Sequence, residues 1–488
     1  MSVVWVLSTR SADEAVFVLL GALCLVAAAL PLLLRKKFHV FEPAVFASIS
    51  VFIGATARSL YLIYTDNSEI ILKLTDGLSF SELLPGASAA VLGLTSYSIG
   101  YLATGKRFRG CELPILSDRY WSDKTVLGLV VISSILAVIG LFLFLQTAGI
   151  QITTLSDVSK KRVVEVDGAG TLHTVAALGY LRAISLFGHV GFLVAVAWAA
   201  YRFQDASPRW KVTYSVLVAS GFFVASAHPF IASARTSVLI LGLGVVIIFA
   251  YARGRLPWLK IVAVGALLLV IALIMLELRT LRAGANELEL QRGIFEDGVL
   301  VGVFDGITGS GNFFPIARSG VIVDRVPERL DFQNGSTYLA ILAAPIPRRI
   351  WPEKPIIAVG RIVRYEIWWD WAAAGGYPPG IVGEAFMNFG WVGVVVVPAL
   401  LGFVVRLWYN SLLPGLGKSK SVLVLYAMMI WPVGQQMVQL NFSLALVNAL
   451  TAAIVTLAGL GIMRLMYRPA NLPGRTNVGR GYPPAIDP

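Results

Sequence analysis

Apolar residues run through this chain in long blocks broken by short polar stretches. Reading windows of about 20 residues, the length a helix needs to cross a bilayer core, yields eleven predicted spans: 14–34, 43–64, 84–104, 125–146, 172–200, 211–232, 237–252, 258–278, 389–408, 421–440 and 443–463. One stretch of about a hundred residues, roughly 279–379, breaks the series, being mixed in polarity and dense in Arg, Trp and Pro. The expected architecture is an all-α polytopic membrane protein of about 11 (10 to 13) transmembrane helices. It divides into an N-terminal bundle of about eight spans over 1–278, an extramembrane segment over 279–380, C-terminal transmembrane helices over 381–468 and a tail over 469–488.

Composition agrees with the pattern. With 57% hydrophobic and 14% charged residues and a mean hydropathy of +0.75, there is too little polar surface to clothe a soluble core of this size. Lys and Arg gather in the loops after alternate spans, as in Arg35-Lys36-Lys37 and Lys106-Arg107-Phe108-Arg109. The positive-inside rule places those loops in the cytoplasm, and the 279–379 segment on the outer face. Span 1 is expected to be retained, because the acidic pair Asp13 and Glu14 precedes its apolar run and no small-residue cleavage site ends it. The net charge of +12 is then explained by topology and anionic lipid head groups, without nucleic acid. Cys24 and Cys111 are too separated to suggest a disulfide or a thiolate metal site, and His39, His173, His189 and His228 show no ligand spacing. No phosphate loop, internal repeat or Asp-x-Asp pair appears, and the expected cytoplasmic loops are short, which argues against nucleotide-sugar chemistry on that side.

The outer face collects arginines. Arg235 sits in the turn Ile231-Ala232-Ser233-Ala234-Arg235-Thr236-Ser237, Arg279 and Arg282 leave span 8, and Arg58 and Arg182 lie inside spans 2 and 5. An arginine in hydrocarbon costs at least ~2.5 kcal/mol, so such residues usually face a polar cavity. Between 345 and 364 the basic residues Arg348, Arg349, Lys354, Arg361 and Arg364 meet a single acid, Glu353, leaving a local charge of +4. Guanidinium forks bind phosphate oxygens bidentately, which suits a diphosphate; a basic stretch resting on phospholipid would have the same composition. Trp351, Tyr365, Trp368, Trp369, Trp371 and Tyr377 fit either a sugar-stacking groove or an interfacial belt. Prolines at 345, 347, 352, 355, 378 and 379 exclude one long helix and predict short helices and turns. Beyond them Glu384 and Asn388 share a helix face at the entry to span 9, and Glu384 is a candidate general base or the partner of a nearby arginine.

The motifs Ser233-Ala234-Arg235-Thr236, Gly335-Ser336-Thr337-Tyr338, Ile346-Pro347-Arg348-Arg349-Ile350-Trp351-Pro352-Glu353-Lys354-Pro355 and Gly383-Glu384-Ala385-Phe386-Met387-Asn388-Phe389-Gly390 together resemble the O-antigen polymerases of the Wzy type, the oligosaccharide repeat-unit polymerases. That resemblance implies a GT-C-type glycosyltransferase of the bacterial inner membrane. Such an enzyme moves a growing glycan from undecaprenyl diphosphate onto a lipid-linked repeat unit at the periplasmic face, with no metal or other cofactor. The residues offered for catalysis are Arg235, Arg348 and Glu384. Donor or glycan binding falls to Arg58, Arg182, Arg279, Arg282, Arg349, Lys354, Trp351 and Tyr338. The expected partners are the undecaprenyl-diphosphate-linked oligosaccharide, membrane lipids and a chain-length regulator. Two alternatives share parts of this pattern. An O-antigen ligase uses the same donor but usually carries a His in the outer loop, and 279–380 has none. A transporter of lipid-linked sugars should show repeats and interrupted helices.

Overall fold

The computed structural model describes residues 11–35, 38–65, 68–104, 114–147, 165–166, 172–173, 179–231, 235–254, 265, 307–308, 313–346, 350–351, 353–370 and 376–467. Among them the chain is helical apart from one antiparallel pairing of Glu165–Val166 with Leu172–His173. Eleven helices matter here: α1 (Ala12–Leu33), α2 (Pro43–Tyr64), α3 (Phe80–Ala103), α4 (Asp123–Thr147), α5 (Phe187–Arg202), α6 (Pro208–Ile231), α7 (Arg235–Arg253), α8 (Ile316–Arg325), α9 (Gly380–Leu412), α10 (Lys420–Gln439) and α11 (Phe442–Met466). Nine helices among the described residues are long and apolar enough to cross a membrane, and α7 carries a shorter apolar run, Ser237–Arg253. The chain is therefore an all-α polytopic membrane protein, and these ten helices fall where ten of the predicted spans stand. The remaining one, 258–278, lies outside the described residues apart from Gly265.

Local chemistry sets several of the ends. Ser11 and Glu14 form a reciprocal capping box at the start of α1, and Ser79 and Glu82 do the same for α3, each satisfying amide groups that an N-terminus leaves open. α2 is interrupted by a π-helical turn, Phe52–Ala57, immediately before Arg58. The span expected at 389–408 belongs to a helix that begins earlier, at Gly380, where φ is +68° after the pair Pro378-Pro379. The expected start survives as a break: Phe389 and Gly390 leave helical geometry, Gly390 at φ 59°, a conformation open to glycine at little cost. The proline-rich stretch forms short pieces as predicted, Ser336–Leu339, Ala340–Ala343, Gly360–Ile362 and a π turn at Val363–Ile367.

The chain clusters into two compact units. The first comprises Met1–Phe108, Glu289–Asn410 and Ile430–Ala449. Within it α1 and α8 pack on α3, and backbones approach through small residues. A Cβ on Gly100 of α3 would stand 1.8 Å from the Ala399 carbonyl oxygen, and one on Gly402 of α9 2.0 Å from that of Tyr97. Apolar tails solvate side chains as well as a neighbouring helix does, so close backbone approach is a main source of helix association in a bilayer. The segment ahead of α8 is held likewise: the Phe314 amide donates to the Ser50 carbonyl at 3.3 Å and to Ser50 Oγ at 3.2 Å, and Gly54 leaves no room for a Cβ beside Phe314.

The second unit comprises Arg109–Leu288, Ser411–Met429 and Leu450–Pro488. Helix α5 forms its centre, buried along almost its whole length and packed against α4, α6 and α7. Asp123 Oδ1 accepts from Trp198 Nε1 at 2.8 Å and from the Tyr214 hydroxyl at 2.7 Å. Asp118 accepts from Ser419 Oγ, the Lys420 amide and Lys420 Nζ at 2.9 to 3.0 Å, placing negative charge at the start of α10, where the helix dipole favours it.

Candidate functional site

Two polar clusters lie inside the first unit. The first is built on Glu384, one turn into α9 and 1% exposed. Its Oε1 accepts from Thr337 Oγ1 at 2.8 Å, and its Oε2 accepts the backbone amide of Phe442, the first residue of α11. Asn388, four residues on along the same face, donates through Nδ2 to Thr337 Oγ1 and to the Glu384 carbonyl, both at 2.8 Å, while its Oδ1 accepts the Gly335 amide at 2.8 Å. Ser443 Oγ donates to the Thr337 carbonyl at 2.6 Å. One carboxylate thus ties together α9, the 333–339 turn and the beginning of α11. Among the described residues it makes no ion pair.

Tyr338 stands over this network. Its ring stacks on Phe389 at 6.1 Å and meets Phe442 edge-on at 5.6 Å, and its buried hydroxyl has no hydrogen-bond partner among the described residues. Burial first, and the charge of Glu384 second, hold that phenol well above its usual range. A groove of about 610 Å³ begins beside Asn334 and Asn388 and runs down α9 past Gly390, Gly393, Val397 and Leu400. Its lining is mostly apolar, with Asn334 at one end.

The second cluster is cationic. Arg318 and Arg364 are 3% and 1% exposed. Arg364 Nε donates to the Asp370 carbonyl at 2.9 Å and pairs with its Oδ2 at 3.3 Å, and that carboxylate also accepts the Tyr377 hydroxyl at 2.7 Å. Arg318 lies over the Tyr377 ring, 5.3 Å from its centre. Arg58 donates through Nε to the Thr308 carbonyl at 2.7 Å and through Nη1 to the Phe314 carbonyl at 3.3 Å, and is near enough to Arg318 for their charges to repel.

A model of the O-antigen polysaccharide polymerase Wzy family matches residues 178–457. The chain belongs to that family. No curated protein and no solved structure matches the chain. The part matched by the polymerase model holds both Glu384 and Arg318, together with Thr337, Tyr338, Arg364 and Asn388.

The sequence-predicted residues separate into groups. Glu384 and Tyr338 come together, with Thr337 and Asn388 from the same motifs. Lys354 does not hold its ammonium open, since Nζ donates to the carbonyls of Ala343, Ala344 and Ile346 at 2.7 to 3.4 Å. Trp351, 41% exposed, lines a second cavity with Leu339, Leu342 and Pro355. Arg58 is buried and anchors the segment ahead of α8. Arg235 opens α7 and Arg182 lies in the short helix Gly179–Ser185; both belong to the second unit, and their side chains lie outside the described residues. So do Arg279, Arg282, Arg348 and Arg349. Sequence reading passed over Arg318, whose only local sign is a charge set within Ile316-Ala317-Arg318-Ser319-Gly320-Val321-Ile322.

Proposed function

We propose that this O-antigen polymerase family member transfers a growing glycan from a polyprenyl diphosphate to a lipid-linked repeat unit, at the periplasmic face of a bacterial inner membrane. The observation that carries the reading is the family match over 178–457. The groove along α9 supports the lipid part of the substrate: an apolar trough past Gly390, Gly393, Val397 and Leu400 suits a hydrocarbon chain. In the reaction the acceptor sugar's hydroxyl oxygen bonds to the anomeric carbon of the donor. The bond from that carbon to the diphosphate oxygen breaks, that oxygen keeps the bonding pair, the hydroxyl proton passes to water or to the departing diphosphate, and polyprenyl diphosphate leaves. Fixed arginines stabilise the negative charge that develops on the leaving group. Arg235 and Arg348 are assigned to it from their reading as outer-face arginines in the sequence, with Arg349 helping to bind the donor, in a GT-C-type chemistry needing no metal. A chain-length regulator is the expected protein partner.

Glu384 takes a positioning role in this scheme. Both of its oxygens are already committed to donors and it is 1% exposed, so it holds the Thr337–Tyr338 turn and Asn388 at the mouth of the groove and does not itself meet the acceptor. Cells lacking the gene should yield glycan of a single repeat unit where cells carrying it show a ladder on a gel. An intact polymer retained on its lipid carrier in the deletion strain would identify a ligase and overturn the reading.

Orientation is open to a separate measurement. The basic-residue asymmetry places the 279–379 segment outside, so a cysteine at Asn334 should react with a membrane-impermeant thiol reagent in intact spheroplasts. Labelling only after lysis would reverse the orientation and with it the pool of substrate.

A further inference from the structure

Buried guanidinium groups in the first unit provide a comparison for one another. Four arginines among the described residues are buried: Arg58, Arg318, Arg364 and Arg406. Arg364 pairs with Asp370, Arg406 with Glu42, and Arg58 donates to two backbone carbonyls. Arg318 differs. Its Nε and Nη1 are buried and meet no acceptor among the described residues, and its one contact of note there is the face of Tyr377.

A ring face offers a cation some stabilisation, of the order of 1 to 2 kcal/mol when desolvated, which falls short of what removing the charge from water costs. Three features make the place more positive still. Arg58 lies within repelling distance. Arg318 is the third residue of the ten-residue helix α8, where the dipole adds partial positive charge. The nearby carboxylate of Asp370 is taken by Arg364 and Tyr377. Burial lowers the Arg318 pKa only to about 10, so the group stays charged at neutral pH.

We propose that Arg318, at the N-terminus of α8 and backed by the Tyr377 ring, is the recognition residue of an anion site that takes a phosphate oxyanion. A buried guanidinium nitrogen that meets no acceptor of the protein can donate a charge-assisted hydrogen bond to a phosphate oxygen, whereas a carboxylate of the protein would have neutralised the site permanently. The oxyanion comes either from the diphosphate of a lipid-linked sugar or from a phospholipid head group. The first of these sources rests on the polymerase reading, and the anion class does not. The protein keeps an unpaired buried charge here at a cost in stability, as functional sites commonly do.

The test uses the full chain, purified in detergent, and its thermal unfolding. Inorganic pyrophosphate in the millimolar range should raise the melting temperature of the wild type by about 2 °C or more, beyond the effect of sodium chloride at equal ionic strength. Arg318→Met, which keeps length and removes charge, should melt at the same or a higher temperature without ligand and lose the pyrophosphate shift. Arg318→Lys should keep a smaller shift, having a point charge in place of a fork. A melting temperature for Arg318→Met well below wild type would make Arg318 a structural residue and overturn the proposal. So would an undiminished pyrophosphate shift in that variant. Repeating the titration with farnesyl diphosphate and with phosphatidylglycerol micelles separates the sources: a shift retained with the isoprenyl diphosphate in the presence of the phospholipid assigns the lipid-linked sugar, and saturation by phosphatidylglycerol alone assigns the head group. The readout needs no polymer, so a chain that binds pyrophosphate through Arg318 and makes no glycan ladder would overturn the polymerase reading and leave the site standing.

Discussion

Replacing Glu384 by Ala should abolish polymer formation and lower the melting temperature of the protein together. The substitution strands the Phe442 amide at the start of α11 and the Thr337 hydroxyl, both of which Glu384 accepts, and Thr337 is itself 3% exposed. A buried donor left without an acceptor costs about 1 to 3 kcal/mol, more where the lost partner was charged, so the expected destabilisation is on the order of 3 to 5 kcal/mol. Glu384→Gln is not a neutral control here. Both carboxylate oxygens accept, and an amide has only one acceptor oxygen, so its NH2 group must face either the Phe442 amide or the Thr337 hydroxyl. The Gln variant should therefore also melt early, by an amount smaller than that of Ala. A positioning residue and a proton acceptor differ in their pH behaviour. Loss of positioning lowers turnover by a similar factor at every pH, and Thr337→Val should reproduce part of it. If instead the Gln variant keeps its melting temperature and loses the acid limb of its pH–rate profile, the carboxylate acts as the base.

A loss of stability of similar size is expected away from that site. Glu42 precedes α2 and is fully buried. Its Oε1 accepts from Arg406 Nη1 at 2.6 Å and from the Tyr101 hydroxyl at 2.8 Å, and it also pairs with Arg35. Arg406 is buried, its guanidinium 5.2 Å from the ring centres of both Tyr101 and Tyr409. Glu42→Ala leaves that charge uncompensated, at about 3 to 5 kcal/mol. Arg35 is partly exposed and can turn to water. The double variant Glu42→Ala, Arg406→Met removes the stranded charge and should recover much of the loss, because an apolar replacement of a buried pair is often close to neutral. Equal melting temperatures for the single and double variants would show that the pair is not what holds α2 against α9.

The position of the helices was legible in the chain because the requirement that sets it is local. A run of about 20 apolar residues satisfies its own backbone hydrogen bonds and matches the bilayer core wherever it sits. The proline string between 345 and 379 was legible for the same kind of reason, since a missing amide proton ends a helix without help from any distant group. So was the pairing of Glu384 with Asn388 on one face, which needs only the helical repeat, and Asn388 Nδ2 does donate to the carbonyl four residues back. What the tertiary structure alone decided is where each charge ends up. Glu42 and Arg406 are 364 residues apart, Arg58 and Thr308 are 250 apart, and Glu384 and Thr337 are 47 apart. Lys354, which reads as one more cation in a basic stretch, is spent on three carbonyls of its own turn. Arg318, which reads as an ordinary charge on a short amphipathic helix, is buried with two nitrogens unpartnered. Whether a charge is solvated, paired or left waiting depends on desolvation and on the neighbours folding brings to it. Those are properties of contacts between remote segments, and no local pattern encodes them.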